Sequence, residues 1–325
     1  MNKFKEYDIR MNELSEWLPY MALITPTVFL NKDDSVMSVL SYGKCTDNIE
    51  KANEFLNKLP SGIAFWICGF FEKEKTFCFI VWNPDYDDAG LIKNYPSKNI
   101  KNPIENFSYF VENLTNNLKS FLPDVQIIAK NDALNILSEI LSLQKCVPMP
   151  DMALYLDCYL TQDHAYTKEE PYLKIDDSYL NSIRILGYPN IYLKDILQIL
   201  RESSIKYRYA RRMIFLDEKM KNKTQEKYFK NWCASYRTFL NFLKIKDDEK
   251  ALYIDNILIL HDKNSERLKE CISFANEYIN SAGYVTVSDD YNPGDIWFSS
   301  IPAMFRTGYN HSIIGLKNTA ENLVL

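Results

Sequence analysis

Residues 63–82, IAFWICGFFEKEKTFCFIVW, consist of two apolar runs separated by a charged turn. Each run has the length of a strand and is rich in β-branched and aromatic residues. Residues 28–43 repeat the arrangement, because VFLN and SVMSVLSYG flank the turn KDD. Two apolar runs joined by a short polar turn are typical of a β-hairpin, so this region of the chain is predicted to contain two hairpins.

The segments around the hairpins have the spacing of helices. Asp47 is expected to cap a short helix that ends near Lys58, since Pro60 and Gly62 follow it. Further on, apolar residues recur at helical intervals across 107–122 and 134–141, on either side of the strand-like VQIIAK. Hairpins and helices that occupy separate stretches indicate an α+β protein.

The prolines of VPMP, residues 147–150, mark the expected boundary between two units, residues 1–146 and 147–325. The second unit is predicted to begin with the strand ALYLDCYL, followed by a β-rich run, a helix and the strand KYRYARRMIFLD. A long amphipathic helix is expected near 217–244, with a further strand, helix and strand after it. The predicted fold class is therefore α+β, with two packed units of mostly antiparallel sheets and amphipathic helices and no RecA-like or P-loop domain.

Composition narrows the class of protein. The chain is 46% hydrophobic and 25% charged, which is enough apolar material for a folded core. A net charge of -5 argues against a surface that attracts nucleic acid or anionic lipid throughout. The seven cysteines are widely spaced and form no Cys-x-x-Cys, so they are expected to be reduced thiols of a cytoplasmic protein. No secretory signal or transmembrane span is predicted.

The motifs that bind common cofactors are missing from the sequence. None of the nine glycines begins the phosphate loop G-x-x-x-x-G-K-[ST], and no G-x-G-x-x-G fingerprint is present. The chain is therefore expected to bind no ATP by that route and to carry no nicotinamide or flavin. Asp85, Asp87 and Asp88 are interpreted as a solvated acidic turn, because a calcium loop needs more ligands and a glycine. No metal site is predicted.

One cluster could support nucleophilic catalysis. His164 follows Asp157, Cys158 and Asp163 closely in sequence, and an imidazole can activate a thiol. If ALYLDCYL is a strand, however, Asp157 and Cys158 point to opposite faces, and His164 lies in the loop beyond. No catalytic residue is therefore assigned, and a hydrolase using Cys158 and His164 remains only an alternative hypothesis.

Two groups of residues are candidates for partner contacts. Lys206, Arg208 and Arg212 share one face of a predicted strand and could follow a phosphate backbone, although one solvated basic face is the more common outcome. A second group precedes the first hairpin and combines large rings with a proline: it consists of Trp17, Pro19 and Tyr20. Amphipathic rings are favoured at protein interfaces, so this group is the candidate docking surface.

The order of several segments resembles the N-terminal region of the CagE/TrbE/VirB family of type IV secretion and conjugal transfer ATPases. The strongest match is WLPYMALITPTVFLNKDDSVMSVLSY, residues 17–42. Further matching segments are MALYLDCYL (152–160), IRILGYPN (183–190), YRYARRMIFLD (207–217), Trp232 and GDIWFSSIPA (294–303). The stretches between Trp82 and Phe107 and between Leu243 and Ala251 are shorter than the family pattern, which leaves loop functions there open.

This resemblance implies a docking and assembly region that anchors a motor to inner-membrane components of a secretion channel. ATP and Mg²⁺ would be bound by a C-terminal RecA-like domain expected to follow Leu325, so the chain itself would be non-catalytic and without a cofactor. The implied location is the cytoplasmic side of a bacterial inner membrane, as a peripheral protein. Expected partners are the inner-membrane secretion subunits, the ATPase domain and a second copy of the chain. The alternative is a stand-alone adaptor or a DNA-contacting subunit, although a nucleic acid is not the expected partner.

Overall fold

The structure is a computed structural model, and it describes residues 14–43, 49–60, 62–71, 73, 75–84, 102–143, 155–161, 164–186, 193–216, 251–288, 294–305 and 312–315. The helices within these residues are α1 (Leu14–Trp17), α2 (Ile49–Lys58), α3 (Pro103–Leu118), α4 (Lys130–Ser142), α5 (Leu156–Thr161), α6 (Leu193–Glu202), α7 (Ser265–Ser281) and α8 (Asp295–Ser299). The strands there are β1 (Tyr20–Thr25), β2 (Val28–Asn31), β3 (Val36–Tyr42), β4 (Ile63–Phe70), β5 (Thr76–Trp82), β6 (Gln126–Ile127), β7 (Tyr166–Glu169), β8 (Tyr172–Ile175), β9 (Ser178–Leu186), β10 (Tyr207–Phe215), β11 (Ala251–Asp262), β12 (Val285–Ser288) and β13 (Ser312–Gly315).

All described strands belong to one antiparallel sheet, in the order β1-β2-β3-β5-β4-β10-β11-β9-β8-β7. The shorter strands β6, β12 and β13 pair with β3, β9 and β11 respectively. The two predicted hairpins are β2–β3 and β4–β5, and both are confirmed by their pairing. The α+β fold class is likewise confirmed.

Strand β10 joins the strands before residue 144 to those after residue 155. It pairs with β4 on one side, where Tyr209 faces Gly69, and with β11 on the other, where Tyr209 faces Leu258. The expected domain boundary at residue 147 lies outside the described residues and stays a prediction. On the two sides of that boundary, the described strands form one continuous sheet.

Each face of the sheet is covered by helices. The first face packs against α1, α4, α5 and α8 in a single apolar cluster that extends along much of the sheet. The second face carries two clusters, one under α2 and α3 and the other under α6 and α7. Because successive side chains of a strand point to opposite faces, β4 contributes Trp66 to the first face and Phe65 to the second.

The helices begin where local chemistry favours it. Asn102 caps α3, since its side chain accepts a hydrogen bond from the Ile104 amide at 3.1 Å, and Pro103 occupies the first helical turn. Asn264 caps α7 in the same way, through the Arg267 amide at 3.0 Å. These side chains satisfy amide groups that a helix start leaves without partners.

One element prediction is wrong. The sequence of ALYLDCYL predicts a strand, but residues 156–161 form the helix α5. A short apolar run does not distinguish a strand from a buried helix, and here Leu156 and Leu160, one helical turn apart, both pack into the first-face cluster. The long helix predicted near 217–244 lies outside the described residues.

Candidate functional site

Strand β10 carries three arginines whose side chains are buried. Arg208, Arg211 and Arg212 are each only 1% exposed. Alternation along the strand sends Arg208 and Arg212 to the first face and Arg211 to the second, where Arg211 joins Tyr209 in a hydrogen bond to Asn256. A charged group in a sheet interior is costly unless it finds acceptors, so the partners of these arginines matter.

Helix α8 and the residues after it supply most of these acceptors on the first face. Arg208 donates to the Ser300 hydroxyl at 2.6 Å and to the Ser300 carbonyl at 3.3 Å. Arg212 donates to the Met304 carbonyl at 3.2 Å. The 294–305 segment thus covers the arginines of β10 and is fixed to the sheet by them.

Asp255 on β11 provides the buried negative charge. Its carboxylate accepts from Arg212 at 2.6 Å and lies 3.5 Å from the Nε atom of Arg184. Within the described residues, Arg208 has no carboxylate partner, and burial lowers the pKa of its guanidinium group. Burial raises the pKa of the neighbouring Cys68 thiol to about 11, although the charge of Arg208 acts in the opposite direction.

This burial changes the interpretation of the basic residues proposed to contact nucleic acid. Arg208 and Arg212 lie inside the protein, so neither guanidinium group is on a surface that a phosphate backbone could follow. Lys206, just before β10, is exposed. The expectation of a solvated basic face is wrong for the two arginines, because helix α8 covers that face of the strand.

Segments that carry the resemblance to the secretion family meet in space. The Tyr20 hydroxyl donates to the Pro302 carbonyl at 3.0 Å, which joins the first of those segments to the last. Lys32 forms an ion pair of 2.6 Å with Asp157 of α5. Together with the contact between Arg208 and Ser300, these bonds connect four of the matching segments on the first face of the sheet.

The candidate docking residues Trp17, Pro19 and Tyr20 have three different environments. Trp17, at the end of α1, is 37% exposed, and Pro19 is half-buried. Tyr20 is fully buried, and burial raises the pKa of its phenol group well above the ordinary value. Tyr20 is therefore not available to a partner, and the predicted surface is reduced to Trp17 and Pro19.

Strand β1 adds residues to this surface that the sequence analysis missed. Met21 and Ile24 are 42% and 44% exposed, close in sequence to Trp17. Among the described strands, β1 pairs only with β2, so it forms an edge of the sheet. The pairing has register shifts between Tyr20 and Ala22 and between Leu23 and Thr25. The signal in the sequence is the alternation that starts at Tyr20, because a buried Tyr20 and Ala22 leave Met21 facing outward. We call Trp17, Met21 and Ile24 the edge surface.

The possible catalytic cluster is not assembled. Cys158 is exposed on α5, whereas the Nδ1 atom of His164 lies 2.8 Å from an oxygen of Asp176. Asp157 is paired with Lys32, and Asp163 lies outside the described residues. Within the described stretches of the chain, no three histidine, cysteine or acidic residues lie close enough together to hold a metal ion. Asp85, Asp87 and Asp88 also fall outside those stretches.

None of the described helices combines the length and the apolar character needed to cross a membrane. The described residues thus define an α+β protein with one antiparallel sheet, helices on both faces and an exposed apolar edge.

Comparisons with known proteins were made for the whole chain. No model of a known protein family matches it. The chain is similar to "Conjugal transfer protein TrbE" of Rhizobium radiobacter, with 22% identity over 206 residues that cover 55% of this chain and 24% of that protein. It is also similar to a probable conjugal transfer protein TrbE of Sinorhizobium fredii, with 22% identity over 55% of this chain and 30% of that protein. The matched region thus spans less than a third of these relatives, and it agrees with the resemblance to the CagE/TrbE/VirB family at the level of TrbE.

Among solved structures, berberine bridge enzyme from Eschscholzia californica matches 78% of this chain and 41% of its own, with a TM-score of 0.31 and 11% identity. A TM-score this low carries no argument about the fold or the function.

Proposed function

We propose that this chain is a docking and assembly region of a conjugal transfer or type IV secretion motor. The observation that carries the proposal is the similarity to "Conjugal transfer protein TrbE" over 206 residues. In this role the chain anchors the motor to inner-membrane channel components from the cytoplasmic side. It also contacts the ATPase domain of the motor and other copies of itself.

The edge surface is the proposed contact for an inner-membrane subunit. An unpaired strand edge presents backbone amide and carbonyl groups that can pair with a strand of a partner. Trp17, Met21 and Ile24 beside this edge supply apolar area, and large apolar side chains contribute much of the energy of protein interfaces. Edge pairing and apolar contact together suit a stable protein contact better than an enzymatic one.

The proposed role is non-catalytic. The sequence contains no phosphate-cradling loop, so ATP hydrolysis in the motor is assigned to a separate ATPase domain. The purified chain is expected to show no ATP hydrolysis that saturates with ATP concentration. Saturable hydrolysis that copurifies with the chain through successive columns would contradict this aspect of the proposal.

The docking role can be tested in the source bacterium. Met21→Lys combined with Ile24→Lys should reduce both conjugal transfer and cosedimentation of the protein with inner membranes, because charged side chains oppose apolar docking. The matched control is Val285→Lys combined with Val287→Lys, which alters two other exposed apolar residues, on strand β12. The circular dichroism spectrum and the unfolding midpoint of both variants should equal those of the unaltered protein. Equal transfer and equal membrane association in the two double variants would refute the edge surface as the docking site.

The alternative function is a stand-alone adaptor or a DNA-contacting subunit. An immunoblot of membrane and cytosol fractions separates the first possibility from the docking region of a larger motor, since the larger motor gives a much larger band. The DNA-contacting version is disfavoured by the burial of Arg208 and Arg212.

A further inference from the structure

A cavity of about 350 Å³ opens where the start of β10 and the end of β11 meet the C-terminal end of α4 and the turn between β8 and β9. Its volume lies in the lower range of small-molecule sites, which extends over about 300–1,000 Å³. It is lined by aromatic residues at the end of β4 and by many charged side chains. The charged residues and the histidine of the lining are Glu139, Asp176, Asp177, Lys206, Arg208, His261, Asp262 and Lys263.

The four carboxylates of this cavity already have basic partners. Asp177 pairs with Lys263 at 2.8 Å, and Asp176 accepts from His164 at the same distance. The remaining two pairs are Glu139 with Lys73 and Asp262 with Arg267. The acidic residues of the cavity are therefore balanced by basic side chains within the protein itself.

Two cations of the cavity are not balanced. Arg208 is 1% exposed and has no carboxylate partner among the described residues, and its Nε atom is buried without a hydrogen-bond acceptor. Lys206 is exposed and likewise has no acidic partner within the described stretches of the chain. A buried donor without an acceptor costs free energy, which a ligand oxygen can recover.

His261 shows that these two charges act on the same space. Burial lowers the pKa of its imidazole to about 4, and the positive charges of Lys206 and Arg208 lower it further, against the opposing charge of Asp262. His261 is thus neutral near pH 7, and Lys206 and Arg208 remain the charged groups that face a ligand there.

We propose that this cavity binds a small phosphate-type oxyanion, with Arg208 at its floor and Lys206 at its mouth. Arginine and lysine both form strong charge-assisted hydrogen bonds to phosphate oxygens. Arg208 is recessed, so the ligand is a free anion or a small phosphate monoester rather than the backbone of a long nucleic acid. This site does not depend on the docking role, because the edge surface is formed by other residues.

The test is a titration of the purified full chain with inorganic phosphate at pH 7, against sodium chloride at equal ionic strength. Phosphate should raise the unfolding midpoint and shift the NMR signals of the His261 ring with a single saturable dissociation constant. Lys206→Gln should weaken binding roughly tenfold, as expected for one lost charge-assisted contact. Lys269→Gln removes an exposed lysine of α7, away from the cavity, and should leave the affinity unchanged.

Arg208→Lys is a second variant, which keeps the positive charge but loses the planar group of donors. It should weaken phosphate binding as well. If this variant fails to fold, Lys206→Gln and the His261 signals still decide the question.

Two further ligands separate the possible sources of the phosphate group. Glycerol phosphate should compete with inorganic phosphate, whereas a single-stranded oligonucleotide at the same phosphate concentration should not. The proposal is overturned if phosphate stabilises the chain no more than chloride does, or if the two lysine variants bind equally. It is also overturned if an oligonucleotide binds through Lys206 and is not displaced by phosphate.

Discussion

Strands β1 and β10 differ in a way that reverses what their sequences suggest. YMALIT of β1 is mostly apolar, yet Met21 and Ile24 are largely exposed. YRYARRMIF of β10 contains three arginines, yet every one of its residues is buried. The position of a strand in the sheet therefore decides exposure here, rather than the polarity of its side chains.

The two strands also differ in how they satisfy their polar groups. As an edge strand, β1 has one described neighbour, and its outer backbone groups can be met by water or by a partner. Strand β10 lies between β4 and β11, so its arginines must find acceptors inside the protein. They find them on β11 and in the 294–305 segment. Predictions can therefore be arranged by how far a residue lies from the sheet centre.

The largest effect is expected at Asp255, the buried carboxylate beside β10. Asp255→Ala leaves Arg212 and Arg184 without their buried negative charge, which should lower the free energy of unfolding by about 3–5 kcal/mol. Urea titration measures this change. Asp177→Ala removes the acid of an ion pair in which both side chains are more than 70% exposed, and it should cause little change. Similar losses in the two variants would mean that burial does not set the value of these pairs.

A pH dependence is expected at His261, at the end of the central strand β11. Burial, helped by Lys206 and Arg208, lowers its pKa in the folded chain to about 4, compared with 6.5 when unfolded. As the pH falls from 6.5 to about 4, the unfolded chain binds a proton that the folded chain does not, so stability decreases across this window and no further below it. The decrease from this residue is at most about 3 kcal/mol.

Urea unfolding at several pH values measures this decrease. His261→Gln should flatten the loss of stability between pH 6.5 and 4, because glutamine does not titrate. An unchanged slope in this variant would show that other groups cause the acid sensitivity, and that His261 is not buried as the structure has it.

A smaller effect is expected at Tyr20, the inward residue of the edge strand. Tyr20→Phe removes the hydrogen bond to the Pro302 carbonyl and should cost about 1 kcal/mol of unfolding free energy. Tyr155→Phe is the control, since Tyr155 is 74% exposed, and it should change the stability little. Chemical denaturation distinguishes the two. Equal stability in both variants would mean that β1 is not fastened to the 294–305 segment through Tyr20.

The sequence is most informative where the pattern is local. Apolar alternation and short turns predict both hairpins, and helical spacing predicts α3, α4, α6 and α7. The failure at α5 has a local cause, because six residues that include Leu156 and Leu160 satisfy both a strand and a helix pattern. The period of a short segment does not decide between them, whereas packing against the sheet does.

The candidate site is less predictable because its contacts are distant in sequence. Arg208 and its acceptor Ser300 are separated by 92 positions, and Tyr20 and Pro302 by 282. No local pattern states that a serine after a short helix will cover an arginine of a strand. The sequence therefore identifies Trp17 and Lys206 as surface residues but does not indicate that Tyr20, Arg208 and Arg212 are inside.

The smallest effect on stability is expected on the outward side of β1, and this expectation separates a docking residue from a structural one. Met21→Lys places a charge where the side chain is already 42% exposed, so the free energy of unfolding should change by less than about 0.5 kcal/mol. Ala22→Lys, one position along, forces a charge into a site that is 3% exposed, and it should destabilise the chain strongly. Thermal and urea unfolding of the two variants compare the faces of one strand directly. If Met21→Lys is also destabilising, Met21 belongs to the folded core, and any loss of transfer that it causes is a consequence of unfolding. If it is neutral, a loss of membrane association in the same variant reports a missing partner contact, because the strand itself is unchanged.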